Sequence, residues 1–270
     1  MNQQAVKYVN GGYKKVDGFF SHMALKALVK MSEAQTQRGI GGAVCEIGVH
    51  HGRSFILLYM LTTGKEISVA YDLFEMQEEN VDKSGEGDKE KFIYNLKKNN
   101  CDLSRIKIFS QNSMNLSAEK ILEDAGSKVK LFSIDGGHTA EIVYNDLSVA
   151  AASLCSGGVI VIDDVFDEGW PGVSEGTCKF LAANKQLLPF AVFDDKAAFT
   201  NTEEMHDIYF NKLKQLTPEF LMKESEYFGK KVIVLYESPH KGLVNQLRRT
   251  QLWQSIKNNP HGNSIRRLLK

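Results

Sequence analysis

From residue 19 to about residue 37 the apolar positions Phe20, Met23, Leu25, Leu28 and Met31 fall at mostly helical spacing, which predicts a helix. The preceding residues 1–18 are polar and punctuated by Gly11, Gly12 and Gly18, and they read as an arm. A short apolar run over 43–49 with glycine around it predicts a strand. From Ser54 the residues Phe55, Leu57, Leu58 and Leu61 resume a helical pattern that stops near Gly64. The same alternation then recurs. Strands are expected at 67–74, Ile106–Ser110, Val129–Ile134 and 158–162, separated by helices at about 88–100, Ala118–Ala125 and 140–154. Further helices are expected at 179–187, 203–215 and 242–257, and further strands at 190–193, 197–200 and 231–236. The most polar internal stretch, 77–90, reads as a mobile loop, and 165–177 as a second, glycine- and proline-punctuated loop containing Trp170.

Strands joined through helices of about 10–15 residues need crossover connections, so they form a mostly parallel sheet with helices on both faces. The expected class is therefore α/β: a Rossmann-like doubly wound sheet with an N-terminal helical arm and a C-terminal helical tail. The divisions are an arm and helix over 1–38, a main domain over 39–240 and a tail over 241–270. A chain of 270 residues with 43% apolar and 24% charged residues has enough apolar content for one packed core.

Charge adds one local feature. Lysine plus arginine and aspartate plus glutamate both number 33, which gives no reason to expect a nucleic acid or an anionic membrane as partner. After Glu237, however, only basic charges follow, including Lys241, Arg248, Arg249, Arg266 and Arg267. This tail and the N-terminal helix are the candidate interfaces of a homo-oligomer. Cys45, Cys101, Cys155 and Cys178 lie far apart, without zinc-type pairing, and read as reduced thiols. With no basic-then-apolar leader and no long apolar span, the expectation is a cytoplasmic protein.

In a doubly wound sheet the ligand crevice lies beyond the carboxyl ends of the strands. After the first strand comes Glu46-x-Gly48-x-x-x-Gly52-x-Ser54, whose glycines permit a tight turn and a close backbone approach to a ligand ahead of a helix N-terminus. The spacing differs from the dinucleotide fingerprint, and Glu46 would repel a pyrophosphate. An acid there suits a cationic ligand such as S-adenosylmethionine, which carries an ammonium and a sulfonium. Asp72, closing the second strand, can accept hydrogen bonds from ribose hydroxyls. Gln111 and Ser113 follow the third strand and could meet an adenine edge, or equally form a capping turn.

The fourth strand runs into Asp135-Gly136-Gly137-His138 and the fifth into Asp163-Asp164. Three carboxylates at neighbouring strand tips repel one another unless a cation neutralises them, and oxygen ligands favour magnesium or another hard divalent ion. Such an ion could orient a hydroxylated acceptor beside the cofactor. His138, with an ordinary pKa of about 6.5, is a natural base for the hydroxyl proton, and Asp135 competes for that role.

The combination of Cys45 through Ser54, Ile134 through His138, the Asn145-Asp146 helix and Gly157 through Asp164 resembles the class I S-adenosylmethionine-dependent methyltransferases. The likeness is to the group of macrocin-type and other sugar and natural-product O-methyltransferases, and it covers roughly residues 40–175. The resemblance implies S-adenosylmethionine and commonly Mg2+, with Glu46, Gly48, Ser54 and Asp72 serving the cofactor; Gly52, Gln111, Ser113 and Asp135 complete the candidate cofactor contacts. It implies Asp135, Asp163 and Asp164 for the metal, His138 or Asp135 as base, and a small-molecule acceptor, a sugar or a glycosylated natural product. Two rival readings stand beside it: a non-catalytic S-adenosylmethionine-binding subunit, and a nicotinamide-dependent oxidoreductase. An iron site built on His50 and His51 is disfavoured, because adjacent residues in a turn are expected to diverge.

Overall fold

The computed structural model describes residues 3–217 and 219–237, so the basic tail and the helix expected at 242–257 lie outside the described residues. Five strands, β1 (Ala43–Ile47), β2 (Ser68–Asp72), β3 (Ile106–Ser110), β4 (Val129–Ile134) and β5 (Leu154–Ile162), pair in parallel in the order β3-β2-β1-β4-β5. The sheet continues through β7 (Lys196–Thr200), β6 (Leu188–Phe193), β9 (Lys230–Tyr236) and β8 (Leu221–Tyr227), to nine strands among the described residues. Here β7 runs antiparallel to both β5 and β6, and β8 antiparallel to β9. The chain winds outward from β1 to β3 and then returns to place β4 on the other side of β1. That reversal opens a crevice at the carboxyl ends of β1 and β4.

Helices α1 (Gln3–Val9), α2 (His22–Gln37), α3 (Arg53–Met60), α4 (Lys89–Lys98) and α8 (Glu203–Leu213) pack on one face; α5 (Ala118–Ala125), α6 (Ala140–Ser153) and α7 (Pro171–Ala183) pack on the other. The period of two in the strands feeds both layers. Val159 and Val161 of β5 join the first apolar cluster, while Ile160 and Ile162 join the second. Strands buried on both faces read as continuous apolar runs, which is why β1, β4 and β5 stand out in the sequence.

Three expectations change. Residues 3–18 are more than a polar arm: α1 and a 3-10 turn at Gly12–Lys15 bury Ala5, Tyr8, Val9, Tyr13 and Val16. The Tyr8 hydroxyl donates to the Arg53 carbonyl at 2.7 Å, and Arg53 Nε donates to the Val16 carbonyl at 2.8 Å. The helix expected at 179–187 instead starts at Pro171, because a proline at the first helical position gives up no hydrogen bond and its ring already holds φ at the helical value. The loop after β5 is therefore shorter than expected. Strand β8 was missed because its residues, Leu-Met-Lys-Glu-Ser-Glu-Tyr, are almost all exposed; charge on an edge strand discourages further pairing. Among the described residues no helix is long and apolar enough to cross a membrane.

At the amino ends of the strands, Lys130 is 3% exposed at a register shift in β4, and its Nζ lies 2.5 Å from Glu66 Oε2. Glu66 also accepts from the main-chain N–H of Gly42 at 2.9 Å and of Thr63 at 2.6 Å. Removing one partner of a buried pair strands the other charge. Glu66→Ala is therefore expected to lower unfolding free energy by about 3–5 kcal/mol in urea titrations, and the apolar double variant Glu66→Leu/Lys130→Met by distinctly less.

Candidate active site

The turn after β1 is shaped by one close approach. Gly48 has φ +80°, and a Cβ on it would stand 1.7 Å from the main-chain oxygen of Asp135 after β4. Only glycine lets the two strand tips come this near. Its N–H donates to the Tyr71 carbonyl at 2.8 Å, and the turn ends at Gly52, φ +92°, which opens α3. His50, at φ +48°, turns its N–H to Asp72 Oδ2 at 2.8 Å, while the Phe74 N–H meets Oδ1 at 2.8 Å. Burial pushes the Asp72 carboxyl up, and these main-chain bonds pull it back in part. Each oxygen keeps a lone pair for a ligand.

A cavity of about 860 Å³ lies over this crevice, within the range of small-molecule sites. Gly48, Asp72, Gln111 and Ser113 line one side, and Asp135, His138, Asp163 and Asp164 the other. Glu46, Gly52 and Ser54 do not line it. Glu46, expected against the ligand, is 1% exposed behind the turn, where Ser133 Oγ donates to its Oε1 at 2.8 Å. Burial raises its pKa to about 8 against the opposing hydrogen bonds from Ser54 and Ser133. The reason is strand geometry: alternate side chains face opposite layers, and Glu46 faces α3 with Val44 rather than the open end.

The acidic side differs from the expected triad of metal ligands. Lys196, at the start of β7, extends its Nζ to 2.5 Å from Asp163 Oδ1, and the Asp164 N–H donates to the same oxygen at 2.9 Å. The ammonium also sits 4.8 Å from the Phe20 ring centroid. Burial and then the charge of Asp163 push the Asp135 carboxyl well up; burial pushes Asp163 up too, opposed by Lys196. Burial disfavours the Lys196 ammonium, but Asp163 and Asp135 outweigh it and raise its pKa. Among the described residues, the grouping with possible ligand atoms within 4.8 Å of one another is Asp135, His138 and Asp164, while the Asp163 carboxylate is paired with Lys196.

His138 stacks on Trp170 with ring centroids 4.1 Å apart and lies between two carboxylates. Its Nε2 is 3.1 Å from Asp164 Oδ2 and its Nδ1 3.0 Å from Asp82 Oδ2, which also accepts the His138 main-chain N–H at 2.6 Å. Asp82 and Ser84, whose Oγ is 2.9 Å from Nδ1, belong to the polar segment 77–90, which folds across the site. Neither residue was separable from its polar neighbours in the sequence. Lys196 did leave a signal, as the charged first residue of an otherwise apolar strand. His50 and His51, expected to diverge, have ring centroids 3.7 Å apart.

Residues 45–165 match a family described as a methyltransferase domain. A comparison with curated proteins finds no sequence match. Among solved structures, the O-methyltransferase NovP superposes with a TM-score of 0.56 at 14% identity, covering 69% of this chain and 84% of its own. The S-adenosylhomocysteine-bound methyltransferase PaMTH1 of Podospora anserina gives 0.52 at 16% identity, covering 75% and 89%. CalS11, a TDP-rhamnose 3'-O-methyltransferase, gives 0.51 at 14% identity, covering 73% and 93%. The likeness to these structures is one of fold. Residues 45–165 thus match a methyltransferase domain, and the fold around them is Rossmann-like.

Burial works against a charged His138, but the hydrogen bonds to Asp164 and Asp82 outweigh it, so its pKa lies above the ordinary value of about 6.5. A raised folded-state pKa stabilises fully below the unfolded value, and the contribution is lost as pH rises through the folded value. A proton NMR titration is expected to place His138 above 6.5, with Asp82→Asn moving it down.

Proposed function

We propose that the chain transfers the methyl group of S-adenosylmethionine to a hydroxyl of a small molecule, with a sugar or glycosylated natural product as the acceptor class. The observation that carries this reading is one cavity with a nucleoside-type half, Gly48 and Asp72, continuous with an acidic half, Asp135 and Asp164. Asp72 would hold the ribose hydroxyls, Gln111 and Ser113 the adenine edge, and the glycine turn the methionine portion. Glu46 would act on the ammonium from behind the turn. The O-methyltransferase and TDP-rhamnose activities named for NovP and CalS11 support the acceptor class through shared architecture.

In the reaction the acceptor oxygen attacks the methyl carbon in line with the sulfonium. The O–CH3 bond forms as the S–CH3 bond breaks, leaving a neutral thioether. The hydroxyl proton needs an acceptor. His138 has both ring nitrogens facing carboxylates, whereas burial and the Asp163 charge increase the affinity of Asp135 for a proton. Asp135 is therefore favoured as base, and His138 as the group that orients Asp164. Asp135 and Asp164 supply the oxygen donors that a hard divalent ion such as Mg2+ takes and would hold it, with His138 Nε2 beside them. When bound, such an ion supplies Lewis acidity toward the acceptor oxygen.

Calorimetry tests the reading directly. S-Adenosylhomocysteine is expected to bind, and Asp72→Ala to weaken it by roughly ten- to a hundredfold, the loss of a charged hydrogen-bonding pair. Binding of a nicotinamide cofactor instead would establish the oxidoreductase reading. Cofactor binding without transfer to any hydroxylated acceptor in a sugar and phenol panel would establish the non-catalytic one. With an acceptor in hand, Asp135→Asn is expected to lower kcat by about a hundredfold or more while leaving cofactor affinity within about threefold.

A further inference from the structure

Neighbouring carboxylates need a counter-charge, and the structure holds one that is part of the chain. In the antiparallel register of β5 and β7, Ile162 pairs with Ala197, so the next pair outward is Asp163 opposite Lys196. Side chains of directly opposite residues share a face and meet. Asp194 and Asp195, both at positive φ, turn the chain tightly enough to start β7 at Lys196. The ammonium is fixed from below by the Phe20 ring and from the side by Asp163, with side-chain exposures of 6% for Lys196 and 10% for Asp163. The cation is held where Asp135, Asp163 and Asp164 converge, and it lines the same cavity.

We propose that Lys196 is the resident counter-ion of the acceptor pocket: it holds Asp163 out of any metal's coordination shell and neutralises part of the acidic cluster without an ion. Lys196 is in this sense a positioning residue, and the inference rests on the acceptor half assigned under the proposed function. Two consequences follow. Asp163 acts as the partner of Lys196 rather than as a metal ligand. A divalent ion at Asp135, His138 and Asp164 meets a neighbouring positive charge, which weakens its binding.

The test is Mn2+ binding followed by electron paramagnetic resonance on the full chain saturated with S-adenosylhomocysteine. Lys196→Met is expected to tighten Mn2+ binding at least about tenfold, because it removes the adjacent charge and frees Asp163. Lys196→Arg is expected to leave it near wild type, and Lys196→Met/Asp163→Asn to lose the gain. No gain in Lys196→Met overturns the proposal. Should Lys196→Met fail to fold with Asp163 buried and unpaired, Lys196→Met/Asp163→Asn, which leaves neither charge stranded, decides. Affinity within about threefold of wild type supports the proposal, and a loss of tenfold or more makes Asp163 a ligand and overturns it. A wild-type protein that does not bind S-adenosylhomocysteine would remove the proposed function, and the Mn2+ comparison would then be made on the unliganded chain.

Discussion

The tips of β1 and β4 approach so closely that position 48 has no room for a side chain, and the rest of the site is laid out around this contact. Because the sheet reverses direction of winding here, two strands diverge in their connections just beyond the point where their backbones converge. The turn of β1 must bend away at positive φ, which brings the His50 N–H onto Asp72 at the tip of the neighbouring strand. The same approach seats Asp135 at the floor of the cavity, where its carboxyl loses water and holds a proton more tightly. One steric constraint thus sets both halves: a pocket with main-chain donors and the Asp72 carboxylate on one side, and a desolvated carboxylate on the other.

Electrostatics then decides what the second half can do. Several acids in a partly closed cavity raise one another's pKa values, and the fold answers with cations from distant parts of the chain. Lys196 arrives from an antiparallel strand, and His138 is held between Asp82 of a crossing loop and Asp164. The Ser21 hydroxyl donates to Asp194 and so ties the N-terminal segment to the acidic hairpin. The N-terminal segment, the 77–90 loop and the β6–β7 hairpin therefore enclose the acidic end of the cavity. Phe19, 88% exposed yet lining the cavity, and the His138–Trp170 stack give that end apolar surface beside its charges.

Much of this was legible in the sequence, and for a definite reason. A central strand of a parallel sheet is buried on both faces, so β4 was read to the residue; β3 and α5 were read as closely from their β-branched and helical spacing, and the glycine turn and the acids at the strand tips followed from where strands end. Local patterning carries that information, because apolar runs, glycines and acids at strand ends are properties of neighbours along the chain. Elements whose burial is one-sided or sparse were harder: α1 buries Ala5, Tyr8 and Val9 from a polar context, and β8 buries almost nothing.

What the sequence by itself determined was the alternation of strands and helices, and hence the crevice and the set of residues standing around it. Which of those residues face the cavity, and which pair with each other, only the tertiary structure decided. Glu46 turned behind β1 because side chains alternate across the sheet; Asp163 turned to Lys196, 33 positions later, because β7 runs antiparallel to β5. His138 gained Asp82 from a loop whose own composition singles out no residue. Long-range partners depend on strand register and loop path, which are fixed by packing across the whole core rather than by any stretch of chain.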